Sequence, residues 1–215
     1  MTLAIMQPYL FPYLGYFQLM QAADKMLLLD DVAWINRGWI NRNRILVQGQ
    51  PQYLSFPVAG ASQNKTICEL ELVKPDGWKS NIEKTLTMAY KKAPQFDQFF
   101  PVLRSILYAE ISNLSAYIFH SLHTLCRYMQ LSVELVPGTG RYGNAALKGQ
   151  DRIVDLCLQE QATRYVNPPG GTGLALAPYQ QRGAVDFVPA LSIIDVLMNC
   201  EVAQVQQQLN EYKLV

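Results

Sequence analysis

Leu3-Ala4-Ile5-Met6-Gln7-Pro8-Tyr9-Leu10-Phe11-Pro12-Tyr13-Leu14-Gly15-Tyr16, followed by Phe17 to Ala23 and by Met26-Leu27-Leu28-Leu29-Asp30-Asp31, is the stretch on which the fold turns. Its first four residues form a short apolar run that breaks at Gln7-Pro8, because proline fixes φ and removes a ladder donor. Phe17 to Ala23 is amphipathic, and Met26 to Leu29 is a second apolar run that ends on two carboxylates. Strand, loop, helix and strand in this order open a parallel α/β sheet, and such sheets bind ligands beyond the carboxyl ends of their strands. The prolines, tyrosines and aspartates crowd at that position.

Working outward, the text predicts strands at 3–6, 26–30, 132–136, 163–166 and 185–188, strung together by helices. Helices are expected over Ala145 to Gln161, Ile193 to Met198 behind a Ser192 cap, and Val202 to Leu209. The fold class is α/β, a doubly wound, Rossmann-like parallel sheet. Ile45-Leu46-Val47 and Tyr53 to Val58, around Gly49-Gln50-Pro51, read as a β-hairpin, and Thr66 to Val73 as a further strand. From Trp78 to Leu131 the pattern is helical, with Ser112-Asn113 as an N-cap signal. The expected organisation is one α/β domain over 1–215, with a hairpin region at 45–73 and a helical insert or lid at 78–131.

Right-handed crossovers bring the strand ends to one edge. That edge would carry Gln7, the Tyr13-Leu14-Gly15-Tyr16 turn, Asp30-Asp31, the Pro137 to Gly140 loop, Asn167 with the glycine loop through Gly171, and Ser192. Gly15 permits close backbone approach to a ligand, and Tyr13 and Tyr16 offer hydroxyls. The turn resembles the His-x-Gly-His turn of nucleotidyltransferases and class I synthetases, with tyrosines in place of both histidines. Trp34-Ile35-Asn36-Arg37-Gly38-Trp39-Ile40-Asn41-Arg42-Asn43-Arg44 repeats Trp-Ile-Asn-Arg. Guanidinium forks match phosphate or carboxylate, and indole faces stack on bases or sugars, so Arg37, Arg42 and Arg44 with Trp34, Trp39, Asn41 and Asn43 are candidate anion binders. Asp30 and Asp31 suit a ribose hydroxyl, a metal or an amine proton, and equally a turn cap or a pair with Arg37.

A formal net charge of +1 argues against bulk nucleic-acid binding. Cys68, Cys126, Cys157 and Cys200 stand far apart in apolar surroundings and read as buried thiols, with no zinc spacing. No metal site is expected. No run reaches the length of a membrane span, and a cytoplasmic location fits the free cysteines. Oligomeric state is not legible at this level.

Gln7-Pro8-Tyr9, Phe11 to Phe17, Asp30-Asp31, Arg37 to Arg44, Tyr90 with Ala93-Pro94, Tyr165 with Asn167 and Gly171, and Leu191 to Leu197 together resemble the WbqC-like protein family over essentially the whole chain. The chain departs from the pattern at Ala175 to Ala177, where members often carry an aromatic, and near Gln161-Ala162, where they tend to carry a glycine. The resemblance implies a bacterial protein linked to surface-polysaccharide (O-antigen) synthesis, and at least one member is associated with attaching glycine to an amino sugar. The expected activity is a transferase forming an amide between an amino acid such as glycine and a nucleotide-linked amino sugar. Amide formation needs an activated carboxyl, which implies ATP or an aminoacyl donor such as an aminoacyl-tRNA or a thioester. Asp30 or Asp31 would take the amine proton, and Tyr13 and Tyr16 would orient the donor. The alternatives are a nucleotide-binding protein without catalysis, or an assembly scaffold with exposed aromatics near Phe96, Phe99 and Phe100.

Overall fold

In the computed structural model, which describes residues 1–74, 77–167, 179, 181, 184 and 186–212, the first apolar run is strand β1 (Thr2–Met6), followed by helix α1 (Leu14–Gln21) and strand β2 (Lys25–Leu28). A hairpin of β3 (Arg42–Val47) and β4 (Gln50–Ser55) comes next, then a small ladder of β5 (Val58–Ala59) with β6 (Glu71–Leu72). Helices α2 (Trp78–Tyr90), α3 (Phe96–Leu107) and α4 (Leu114–Tyr128) precede β7 (Glu134–Val136), α5 (Gly149–Gln159) and β8 (Arg164–Val166). Helices α6 (Ile193–Asn199) and α7 (Val202–Leu209) follow.

The main sheet has the order β7-β2-β1-β8 with every pair parallel. The chain steps from β1 to β2 to β7 in one direction, then returns through α5 to lay β8 on the far side of β1. That reversal makes the sheet doubly wound and sets the switch point between β1 and β8. Leu3, Ile5, Leu27 and Val136 pack on Leu156 of α5, whereas Ala4, Met26 and Leu28 join the larger core with Phe17 and Met20 of α1. Both faces of β1 and β2 are covered, which is why these strands are unbroken apolar runs rather than alternating ones. Buried residues of α2, α3 and α4 belong to that same larger core. Among the described residues no helix is long and apolar enough to cross a membrane.

Three expectations are corrected. A fifth strand is absent among the described residues: Val185 lies outside them, and the Gln181 carboxamide takes over the pairing of Val188, accepting from its N–H at 2.6 Å and donating to its carbonyl at 2.7 Å. The 66–73 strand is a 3-10 turn, Ile67–Glu69, before the two-residue β6. Glu69 accepts from the Thr66 backbone N–H at 2.7 Å, so local capping prevails over β-propensity there. The hairpin begins at Arg42 rather than Ile45, and its turn, Gln48-Gly49, has φ of 52° and 77°, the left-handed pair that a two-residue connection demands.

Segment 9–13 leaves the sheet and is laced to the hairpin and to α6. Phe11, buried with φ of 46°, has its carbonyl held by Asn43 Nδ2 and Ser192 Oγ, each at 2.8 Å. Ser192 N–H donates to the Arg44 carbonyl and Ile193 N–H to the Pro12 carbonyl. Strain of this kind persists where neighbours over-determine it.

Candidate functional site

The carboxyl ends of β1, β2 and β8 open into a crevice of about 620 Å³. Gln7 and Tyr9 follow β1, Asp31 follows β2, Asn167 follows β8, and Lys148, Gly149 and Arg152 enter from the start of α5. Both carboxylates of the pair have assigned neighbours. Asp30 is buried and fastens the next loop: it accepts from Ser115 Oγ at 2.6 Å and from the Thr139 backbone N–H at 3.1 Å. Asp31 lies on the crevice wall, accepting from the Thr139 hydroxyl and bridging Arg152 Nη2, both at 2.5 Å. Arg152 Nε donates to Asn144 Oδ1 at 3.2 Å, which fixes the guanidinium from a second side.

Gly138 shows how tightly the aspartates are seated. Its φ is +82°, and a Cβ there would stand 2.9 Å from both Asp30 carboxylate oxygens. Gly138→Ala is therefore expected to destabilise by about 1–3 kcal/mol through backbone strain, with an added loss from the displaced carboxylate. Urea denaturation measures it, and a midpoint equal to the wild type would contradict this packing.

Crevice electrostatics favour an anion. Arg152 is balanced by Asp31, but Lys148 is exposed and makes no hydrogen bond or ion pair among the described residues. No side chain caps α5, whose first turn also carries Asp151, so its first N–H groups lack a side-chain acceptor at the cap, beside Lys148. Gly149, at φ of +55°, presents bare backbone at this mouth.

A second, smaller pocket of about 140 Å³ lies between the first turn and the base of the hairpin. Tyr9, Pro12, Tyr13, Trp39 and Arg44 wall it, and Tyr9 borders both cavities. Burial pushes the Tyr9 and Tyr13 phenols above their usual range, so both stay protonated near neutrality. Gly15 makes room for the Tyr13 ring, since a Cβ would come within 2.4 Å of it.

The sequence candidates thus divide. Gln7, Asp31 and Asn167 line the crevice, while Tyr13, Trp39, Asn43 and Arg44 line the small pocket. Four others serve the fold. Tyr16 is buried and donates to the Gln7 carbonyl at 2.9 Å, out of reach of any donor group. Trp34 is buried with its Nε1 on Asn36. Asn41 donates to the Phe56 carbonyl, and Ser192 caps Ile194 while holding Phe11. The three arginines do not converge: Arg37 is exposed, Arg42 bonds the carbonyls of Arg37 and Gly38 with its guanidinium 4.5 Å from the Tyr53 ring centre, and Arg44 sits at the small pocket. Neither aspartate pairs with Arg37. Gly171 lies outside the described residues. Sequence reasoning missed Arg152, Lys148 and Tyr9, and the one local signal for the first two was Lys148-Gly149 ahead of an amphipathic helix.

A model of the WbqC-like protein family matches residues 7–178 and 174–207. The chain is also similar to the uncharacterized protein Rv1507c of Mycobacterium tuberculosis, 28% identical over 215 residues, covering 91% of this chain and 92% of that protein. No solved structure matches it.

Proposed function

The chain belongs to the WbqC-like protein family, which is associated with polysaccharide biosynthesis, and from that premise we propose that it is a transferase acting on a nucleotide-linked amino sugar bound in the crevice. One observation carries the reading. The cavity lies at the switch point of a doubly wound sheet and has the roughly 300–1,000 Å³ of small-molecule sites. A helix N-terminus and a lysine with no ion pair among the described residues mark its mouth. A sugar diphosphate would place its phosphates on Lys148 and the α5 N–H groups, with Arg152 held ready by Asp31.

In the proposed reaction the sugar amine attacks the carbon of an activated acyl group such as glycyl. A C–N bond forms, the bond to the donor's leaving group breaks, and that group departs with the electron pair and takes up the amine proton. A carboxylate paired to arginine is a weak base, so Asp31 is assigned to positioning Arg152 rather than to proton removal. Neither Tyr13 nor Tyr16 lines the crevice, so adenylyl transfer by the histidine route of nucleotidyltransferases is not part of the proposal.

Isothermal titration with a dTDP-amino sugar tests the binding, and product analysis with glycine plus ATP, or with charged tRNA, tests the transfer. Lys148→Ala is expected to weaken the nucleotide about tenfold, the loss of one exposed charge-assisted contact worth about 1.4 kcal/mol. Unchanged affinity would take the phosphates away from α5. A second reading, nucleotide binding without turnover, draws on the engagement of both aspartates in internal contacts. Binding with no product under any donor would favour it. Against the scaffold alternative, Phe99 is fully buried and Phe96 and Phe100 are partly buried against the core.

A further inference from the structure

We infer that the pocket walled by Tyr13, Trp39 and Arg44, which neighbours the crevice at Tyr9, holds a small carboxylate as a second substrate. Its role as co-substrate rests on the transferase reading, whereas the binding itself stands on the pocket's own geometry.

The walls are aromatic and proline surfaces with one cation among them. Arg44 Nη2 donates to the Pro189 carbonyl at 3.2 Å, while its Nε–H, which has no partner among the described residues, is sealed off, so the guanidinium meets a ligand through its Nη end. No carboxylate lies within ion-pairing distance of Arg44 among the described residues. The guanidinium therefore lacks a counter-charge among the described residues, and a carboxylate supplies one in the planar geometry that a guanidinium matches. Asn43 has its Oδ1 on the Arg44 backbone N–H and one Nδ2 hydrogen on the Phe11 carbonyl, which leaves at most one N–H for a ligand.

Size and polarity narrow the ligand. At about 140 Å³ the pocket is close to the ~150 Å³ of a cavity that admits benzene, room for an acid of about six non-hydrogen atoms. One cation against apolar walls suits a monoanion with a short hydrocarbon part better than a doubly charged phosphate. The Tyr9 and Tyr13 hydroxyls remain protonated donors toward the anion. Tyr9 is braced from behind by Tyr16, with ring centres 5.7 Å apart, and Tyr16 is itself tied to the Gln7 carbonyl. Tyr9 lines both cavities, so the small pocket and the nucleotide crevice are neighbours.

Saturation-transfer NMR on the intact chain, with acetate, propionate, glycine and inorganic phosphate as probes at millimolar concentration, tests the inference. Saturation of propionate or glycine is expected, at least tenfold weaker in Arg44→Met, and phosphate at equal concentration should not displace it. The glycine and propionate arms tell an amino acid from a simple acid. Gly15→Ala, which pushes the Tyr13 ring without touching Arg44, is expected to weaken binding as well and guards against misfolding of the arginine variant. Circular dichroism checks both. Equal saturation in Arg44→Met, displacement by phosphate, or no wild-type saturation would overturn the proposal. Arg44→Met should keep its dTDP-amino sugar affinity. Carboxylate binding without any nucleotide binding would support the pocket and remove the transferase reading, and the reverse would do the opposite.

Discussion

Replacing Arg152 by alanine is expected to destabilise the protein by about 3–5 kcal/mol, the range for breaking a buried ion pair from one side, and to abolish nucleotide binding. The side chains of Arg152 and Asp31 are only 7% and 13% exposed. Without the guanidinium, the Asp31 carboxylate keeps only the Thr139 hydroxyl, in a position that water reaches poorly, and Asn144 loses the donor on its Oδ1. The double variant Asp31→Asn, Arg152→Met removes both charges together and should recover most of the stability but none of the binding. Urea denaturation of the three proteins, with dTDP-amino sugar titrations alongside, separates structural from ligand effects. A single-variant loss below about 1 kcal/mol would mean that solvent reaches the pair as at a surface bridge, and retained nucleotide affinity would place the phosphates elsewhere.

The other large effect belongs to a buried clasp. Asp195, 1% exposed on α6, accepts from the Tyr90 hydroxyl of α2 at 2.8 Å and from the Tyr179 hydroxyl at 2.6 Å, while Tyr90 accepts from the Leu46 N–H of β3 at 3.3 Å. The clasp thereby joins two helices to the hairpin. Asp195→Ala would leave two phenol O–H donors without their acceptor, each at about 1–3 kcal/mol, so a loss of about 3–5 kcal/mol is expected. Titration adds a signature. Burial raises the Asp195 pKa above the usual carboxylate value, against the opposing pull of the two phenol hydrogen bonds. An acid with a raised folded pKa is protonated in both states at low pH. As pH rises, the unfolded chain releases its proton first, so the folded state carries the extra proton and stability falls until the raised value is passed. Asp195→Asn lacks this group, and its stability measured by urea from pH 4 to 7 should gain on the wild type as pH rises. Parallel curves would show that burial costs the carboxylate nothing.

Residue pattern alone was enough for the framework. Leu3 to Met6 and Met26 to Leu29 are continuous apolar runs because both faces of their strands are covered, and alternation with helices implies parallel pairing. Asn113 and Ser192 were legible as caps because a short polar side chain satisfies an N–H two or three residues on, which is a local act. The Arg37 to Arg44 cluster was legible as unusual but not as divided: the alternation of β3 turns Asn43 inward, and Arg42 closes its own loop. Which charge meets which was decided only in three dimensions. Asp31 and Arg152 are 121 positions apart, and Tyr9 became a shared wall because the laced turn carries it between two cavities. Periodicity and capping act over one or two turns of chain, so residue types reveal them. Ion pairs and cavities depend on the crossovers that bring remote segments to one sheet edge, and no local pattern encodes the partner.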